Sequence, residues 1–190
     1  MSKKKKCTSC ENYFVSDSKN LNNYCSNDCI KKAFTKKNTK SVSKRKKKEK
    51  TPRQIAKEEA WAQFSIFIRK RDCIRFTGDP DQGMCVTCKQ PFPFSKLQAG
   101  HFISGRGNAV LFDETCVFSQ CYQCNGNPPY GRGGNYVEYF VFMEQEFGRE
   151  YIDVLRKKKG TTVKYKLADF IAIKELYENK TQELLNETRH

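Results

Sequence analysis

The sequence predicts an α+β fold, small and rich in cysteine, and three observations carry that prediction. Apolar residues recur at helical spacing before and after a central stretch. The central stretch reads as short strands around a glycine-rich turn. Eight of the 10 cysteines fall into Cys-x-x-Cys-type pairs, the spacing that lets thiolates meet around one Zn²⁺. A chain of 190 residues with 37% hydrophobic content holds one modest core and a small appendage.

Residues 1–35 form an amino-terminal four-cysteine zinc module, with Cys7 and Cys10 paired to Cys25 and Cys29 and with Tyr13, Phe14 and Tyr24 placed to cover a metal. A segment this short cannot bury a core without the ion. Residues 36–53 are dominated by Lys, Ser and Thr, contain Lys44, Arg45, Lys46, Lys47 and Lys48 in one run, and read as a basic linker or a segment helical only when bound.

Residues 54–190 form the remaining domain. From Gln54 to Asp72, Trp61, Phe64 and Ile68 share a helical stripe. Thr77 to Gly83 is turn-forming and delivers the chain to Cys85. Strands around Gln98–Ile103 and Val110–Phe112 are expected to flank the Gly-rich 104–108 segment as a hairpin. Cys121 to Asn125 opens a helix or tight turn, followed by a Pro/Gly-rich excursion over 126–134. Tyr136, Tyr139, Phe140, Met143 and Phe147 form a helical stripe that stops at Gly148, and Phe170, Ile173, Tyr177 and Leu184 form the last one.

The second cysteine set is Cys85 and Cys88 with Cys121 and Cys124, so two structural zinc sites are expected. Paired thiols without a secretory signal fit a reducing compartment better than disulfides, and no apolar run is long enough to cross a bilayer. A cytoplasmic protein is expected, in the host cell if phage-encoded. The net charge of +15 is concentrated early: residues 1–50 hold 16 Lys/Arg against 4 Asp/Glu. Such an arm suits a polyanion, because neutralising phosphates releases condensed counterions; its plainer reading is a solvated linker.

Thirty-two residues separate Cys88 from Cys121, more than a plain zinc ribbon requires, and His101 lies inside that insertion on a predicted strand. Both cysteine sets are complete without it. An imidazole with an unperturbed pKa of ~6.5 takes a proton from water near neutrality, which qualifies His101 as a general base. The alternatives are a structural histidine or a substitute zinc ligand.

The segments Cys85-x-x-Cys88, Ala99-Gly100-His101-Phe102, Phe112-Asp113-Glu114, Gln120-Cys121-x-x-Cys124-Asn125 and Gly134-Asn135-Tyr136-Val137-Glu138-Tyr139 resemble the NinG/Rap family of phage recombination proteins. The amino-terminal module and Lys-rich linker match too. That family is similar to the HNH, or His-Me finger, endonucleases, so the resemblance implies a ββα-metal core with flanking helices and a metal-dependent phosphodiester hydrolase. The implied substrates are branched recombination intermediates such as D-loops and Holliday-type junctions.

By position, the resemblance makes His101 the general base and Asn125 a ligand of a catalytic Mg²⁺ or Mn²⁺. The middle motif position, usually an Asn that orients the base, is Cys116 here. Gly100 stands where many such enzymes carry an acidic ligand, leaving Asp113 or Asn135 to supply that oxygen. Arg106 and Arg132, in Gly-rich loops, are candidates for phosphate contact, beside the plainer reading of exposed arginines. A two-armed junction would suit a homodimer. The alternatives are a non-catalytic zinc-dependent DNA-binding recombination accessory protein and a zinc-scaffolded adaptor.

Overall fold

The computed structural model describes residues 4–15, 23–41, 49–103 and 108–188. Lys44, Arg45, Lys46, Lys47, Lys48 and Arg106 lie outside the described residues. The chain divides into two compact units, Met1–Glu49 and Lys50–His190, a boundary inside the predicted linker.

In the first unit, strand β1 (Lys4–Lys6) pairs antiparallel with β2 (Tyr13–Val15), and helix α1 (Asn27–Ser41) follows. Among its described residues only Cys7 and Cys29 are buried. Sulfur stands at its centre where a larger unit has hydrocarbon.

The second unit is organised by its first and last helices. Helix α2 (Pro52–Thr77) starts on a capping box in which Thr51 and Gln54 satisfy each other's backbone amides, and has Pro at its first position, where a missing N–H is no loss. It ends at Gly78, whose φ of 74° suits glycine. Helix α7 (Leu167–Glu187) lies alongside it in parallel. The direction follows from paired contacts: Arg53 donates to Tyr165 O at 2.9 and 2.7 Å, Lys174 pairs with Glu59 at 3.2 Å, and the Lys180 ammonium sits 5.0 Å from the Phe67 ring centre.

Between these helices in sequence come two antiparallel strand pairs. β3 (Gln82–Met84) pairs with β4 (Pro91–Pro93), then β5 (Leu97–His101) pairs with β6 (Val117–Cys121), Leu97 opposite Cys121 and His101 opposite Val117. Two four-residue helical turns, α3 (Asn108–Leu111) and α4 (Tyr122–Asn125), precede and follow β6. Helices α5 (Tyr136–Phe147) and α6 (Arg149–Lys159) close the core, with Phe64, Ile68, Phe102, Phe118, Met143 and Ile152 all buried.

Two expectations need correction. Val110–Phe112 is not a strand: Val110 and Leu111 belong to α3 with Ala109, all three buried, and the partner of β5 is β6. Helix α6 was not foreseen, because only Ile152 and Leu155 of its 11 residues are buried and the rest of its stripe is charged.

A buried carboxylate ties α2 to the β5–β6 pair. Asp72, fully enclosed, accepts from the Ser119 amide at 2.6 Å and from Arg71 Nε at 2.9 Å. Arg71 in turn donates to Glu114 O at 2.8 Å and Val117 O at 3.1 Å while lying 4.8 Å from the Phe118 ring centre. The charge is thus paired and hydrogen-bonded, the condition under which burial is tolerated.

Candidate functional site

The second cysteine set converges as predicted. Cys85 and Cys88 sit on the turn between β3 and β4, closed by Cys85 N to Gln90 O at 3.0 Å and Lys89 N to Cys85 O at 2.9 Å. Cys121 ends β6 and Cys124 lies one turn on in α4. Val86 N donates to Ser119 O at 2.9 Å, which joins that turn to β6. The four sulfurs lie within 4.8 Å of one another, as do those of Cys7, Cys10, Cys25 and Cys29. Sγ–Sγ separations of 3.9 Å for Cys88–Cys121 and 3.5 Å for Cys10–Cys25 bracket the ~3.8 Å edge of a tetrahedron with Zn–S bonds of ~2.3 Å. Both clusters can hold a structural zinc.

Crowding splits the acidities of these thiols. Cys25 is pushed up to about 12 by hydrogen bonding with Cys10, Cys29 and Cys7. At Cys7, burial is outweighed by hydrogen bonds from the backbone of Cys10, Cys25 and Ser9, which bring it down to about 6. Cys88 rises to about 12 through burial and its neighbours Cys85 and Cys124. At Cys85 burial is overcome by the Cys88 backbone, the Thr87 hydroxyl and the Cys121 backbone, giving about 7. A divalent ion resolves this conflict by stabilising all four thiolates together.

His101 ends β5, half-buried, and belongs to neither sulfur cluster. Its ring stacks on Trp61 of α2, centroids 5.0 Å apart at 18°. Nε2 lies 3.1 Å from Leu111 O. A carbonyl can only accept, so Nε2 carries the hydrogen and the neutral ring's lone pair resides on Nδ1. The backbone is pinned on both sides: Tyr139 Oη donates to Gly100 O at 2.8 Å, and Phe102 N donates to Cys116 O at 2.8 Å. An imidazole so held keeps one tautomer and one orientation.

Asn125 closes α4 and donates from Nδ2 to Gln98 Oε1 at 2.8 Å. Trp61, Arg69, Ser95, Gln98, Ala99 and Asn125 line an open groove of ≈ 400 Å³ that passes His101's stacking partner. On the other side of Trp61, Lys57, Glu58 and Leu111 border a second groove of ≈ 310 Å³. Arg69 crosses the floor of the first, its guanidinium 4.3 Å from the Phe94 ring centre and donating from Nε to Ser65 O at 3.1 Å. Desolvation draws its pKa below the usual arginine range.

Three candidates are placed differently from expectation. Cys116 is sealed in the core beside Phe102 and Tyr139, burial pushing its thiol up to about 11; it contributes a backbone carbonyl, not a side chain, to the site. Asp113 is engaged elsewhere: its carboxylate accepts from Thr115 N at 2.9 Å and Thr115 Oγ1 at 2.6 Å and pairs with Lys158 at 2.5 Å. Burial alone would raise its pKa, but Lys158 and Thr115 prevail and hold it below the usual carboxylate range. Asn135, left-handed at φ 46°, directs Nδ2 to Cys124 Sγ at 3.7 Å and so serves the sulfur cluster.

Arg132 is exposed on the 126–134 loop, whose amides fold back onto α4: Arg132 N donates to Gln123 O at 2.8 Å and Gly134 N to Cys124 O at 2.8 Å. Gly131 is required here, since a Cβ on it would come 2.2 Å from Gly126 O. Trp61, Gln98 and Gln120 were not assigned roles at the site from sequence. The signal for Gln120 was a carboxamide in β6, a strand buried at all five positions, where a polar side chain must find partners.

Fold and site define a class: a two-unit α+β protein whose units each carry a four-cysteine cluster suited to zinc. The family described as Bacteriophage Lambda NinG protein matches residues 1–187, and the chain belongs to this NinG family. The family is associated with phage recombination, which points to a role in recombination. No curated protein and no solved structure matches the chain. No helix among the described residues is long and apolar enough to cross a membrane.

Proposed function

We propose that this chain is a metal-dependent DNA endonuclease acting on branched recombination intermediates, D-loops and Holliday-type junctions, with His101 as general base. The observation that carries it is the imidazole fixed by Leu111 O and Trp61 at the end of β5, next to Gly100, with Asn125 closing the strand–strand–helix order β5–β6–α4. That order supports an HNH-like ββα-metal core clamped by zinc.

Oxygen atoms suit Mg²⁺ or Mn²⁺, and two carboxamide oxygens, those of Asn125 and Gln120, point at the place a Cβ on Gly100 would take, at 3.0 and 2.1 Å. Gln120 Oε1 is buried without a hydrogen-bond partner. The residues present therefore fit such an ion, which would supply charge stabilisation at the scissile phosphate. His101 receives the proton of the attacking water at Nδ1 while Nε2–H stays on Leu111 O. Trp61 shields one face of the ring, and Lys57 and Arg69 give both grooves the charge a phosphate backbone needs.

A panel of linear, flapped, D-loop and four-way DNAs with Mg²⁺ or Mn²⁺ tests this reading. His101→Ala is expected to keep DNA affinity and lose cleavage by about 10²–10⁴. Cleavage at the parent rate in that variant rejects the base. A second reading, a non-catalytic DNA-binding recombination accessory protein, is favoured by the neutral donor set, Asp113 being held by Lys158; it predicts binding without cleavage by the parent itself.

A further inference from the structure

Gln120 stands opposite Gln98 in the β5–β6 register and is completely buried. Its Nε2 donates to Gly134 O at 2.8 Å and Thr87 Oγ1 at 3.3 Å. Gly134 O can only accept, so the amide cannot be flipped and Oε1 must face the other way. There it finds no donor. An unpartnered buried carbonyl oxygen costs about 1–3 kcal/mol, a cost that a ligand removes.

What Oε1 faces is the bare Cα of Gly100. A Cβ built there would lie 2.1 Å from Gln120 Oε1 and 3.0 Å from Asn125 Oδ1, contacts no real side chain makes. The glycine is thus enforced by a neighbouring strand rather than by backbone conformation, and any acidic residue at position 100 is excluded while Gln120 stays. Two carboxamide oxygens from different elements aim at one point, and Asn125 and Gln98 open that point to the groove beside Trp61.

We propose that Gln120 is a cation ligand of this site, its Oε1 replacing from β6 the acidic side chain that Gly100 cannot carry. The proposal rests on the nuclease reading for the ion's role but not for its binding. Both protein donors are neutral, so the ion is held weakly by the chain alone and more firmly when phosphate oxygens supply the negative charge. DNA and cation therefore bind with mutual reinforcement.

The test uses the zinc-loaded full chain carrying His101→Ala, which prevents cutting, titrated with Mn²⁺ with and without four-way DNA. Trp61, the single tryptophan, is the reporter through quenching of its emission. Gln120→Ala should weaken Mn²⁺ binding at least tenfold at unchanged zinc content, and DNA should tighten Mn²⁺ binding only where Gln120 is present. The double change Gly100→Asp with Gln120→Ala removes the clash and adds a carboxylate, so affinity should return to or exceed that of the Gln120 protein even without DNA. Mn²⁺ affinity indifferent to Gln120→Ala, or no recovery in a folded double variant, overturns the proposal. Gln120-dependent binding in a protein whose His101 form never cuts DNA would refute the nuclease reading and leave the cation site standing; cutting with Gln120-independent binding would do the reverse.

Discussion

The two cysteine clusters share a donor set and differ in what surrounds them. In the amino-terminal unit Cys7 and Cys29 are the only buried described residues, and Cys10 and Cys25 are exposed. In the second unit Cys85, Cys121 and Cys124 are buried next to a core of Phe64, Phe102, Phe118, Tyr139 and Met143 that owes nothing to sulfur. The same chemistry is therefore the whole fold in one place and a local clamp in the other. The difference teaches where metal free energy goes: into folding a short segment that has no alternative, or into fixing one strand end and one turn of helix in a domain already held by apolar packing.

Metal removal should separate the two most sharply. A strong chelator is expected to unfold the first unit outright, since structural zinc contributes on the order of 10 kcal/mol in such modules, while α2 and α7 stay folded. Hydrogen exchange resolved by residue reads both at once; protection that persists at β1 and β2 after zinc is gone breaks the comparison. Next in size is Asp72→Ala, which strands Arg71 and the Ser119 amide inside the second unit and should cost about 3–5 kcal/mol in urea unfolding. The zinc content of the first unit should not change.

Smaller still is Asp113→Asn, at about 1 kcal/mol, because Lys158 is half-exposed. Asp113 is held below the ordinary carboxylate range, so its contribution is complete above the unfolded value of ~3.9 and disappears as pH falls through the lower folded one. Lys158 is raised by Asp113, so its contribution is complete below ~10.4 and disappears as pH rises through the folded value. The pair stabilises between those limits, and the parent-minus-variant difference should vanish outside them. Deleting residues 1–49 should change the melting of the second unit least, by under about 0.5 kcal/mol. It should flatten the salt dependence of DNA binding by roughly 0.9 in log–log slope for each phosphate that the arm neutralises. An unchanged slope assigns the basic arm another partner.

Much of this architecture was legible because helices announce themselves. The stripes through Trp61, Phe64 and Ile68 and through Tyr139 and Met143 are long enough for period 3.6 to be unmistakable, and both cysteine sets met as their spacing required. Short apolar runs carry no period. Ala109, Val110 and Leu111 are all buried, which a strand and a helical turn satisfy alike, and tertiary packing against α6 decided for the turn. Side-chain partners were the least readable. Nothing in sequence told that Lys158 would capture Asp113, since 45 positions separate them. Cys116 illustrates the same limit: motif position suggested chemistry, whereas the core claimed its thiol and left the site a carbonyl.

Cys124 and Asn125 are adjacent in a four-residue helical turn, one serving the sulfur cluster and the other facing the carboxamide oxygens at Gly100. A soft site and a hard site thus share a single peptide link, and neither can shift without the other registering it. Cobalt(II) exchanged for zinc would turn that adjacency into a colour: its ligand-field absorption among the four thiolates should move when an oxygen-loving ion lands one residue away.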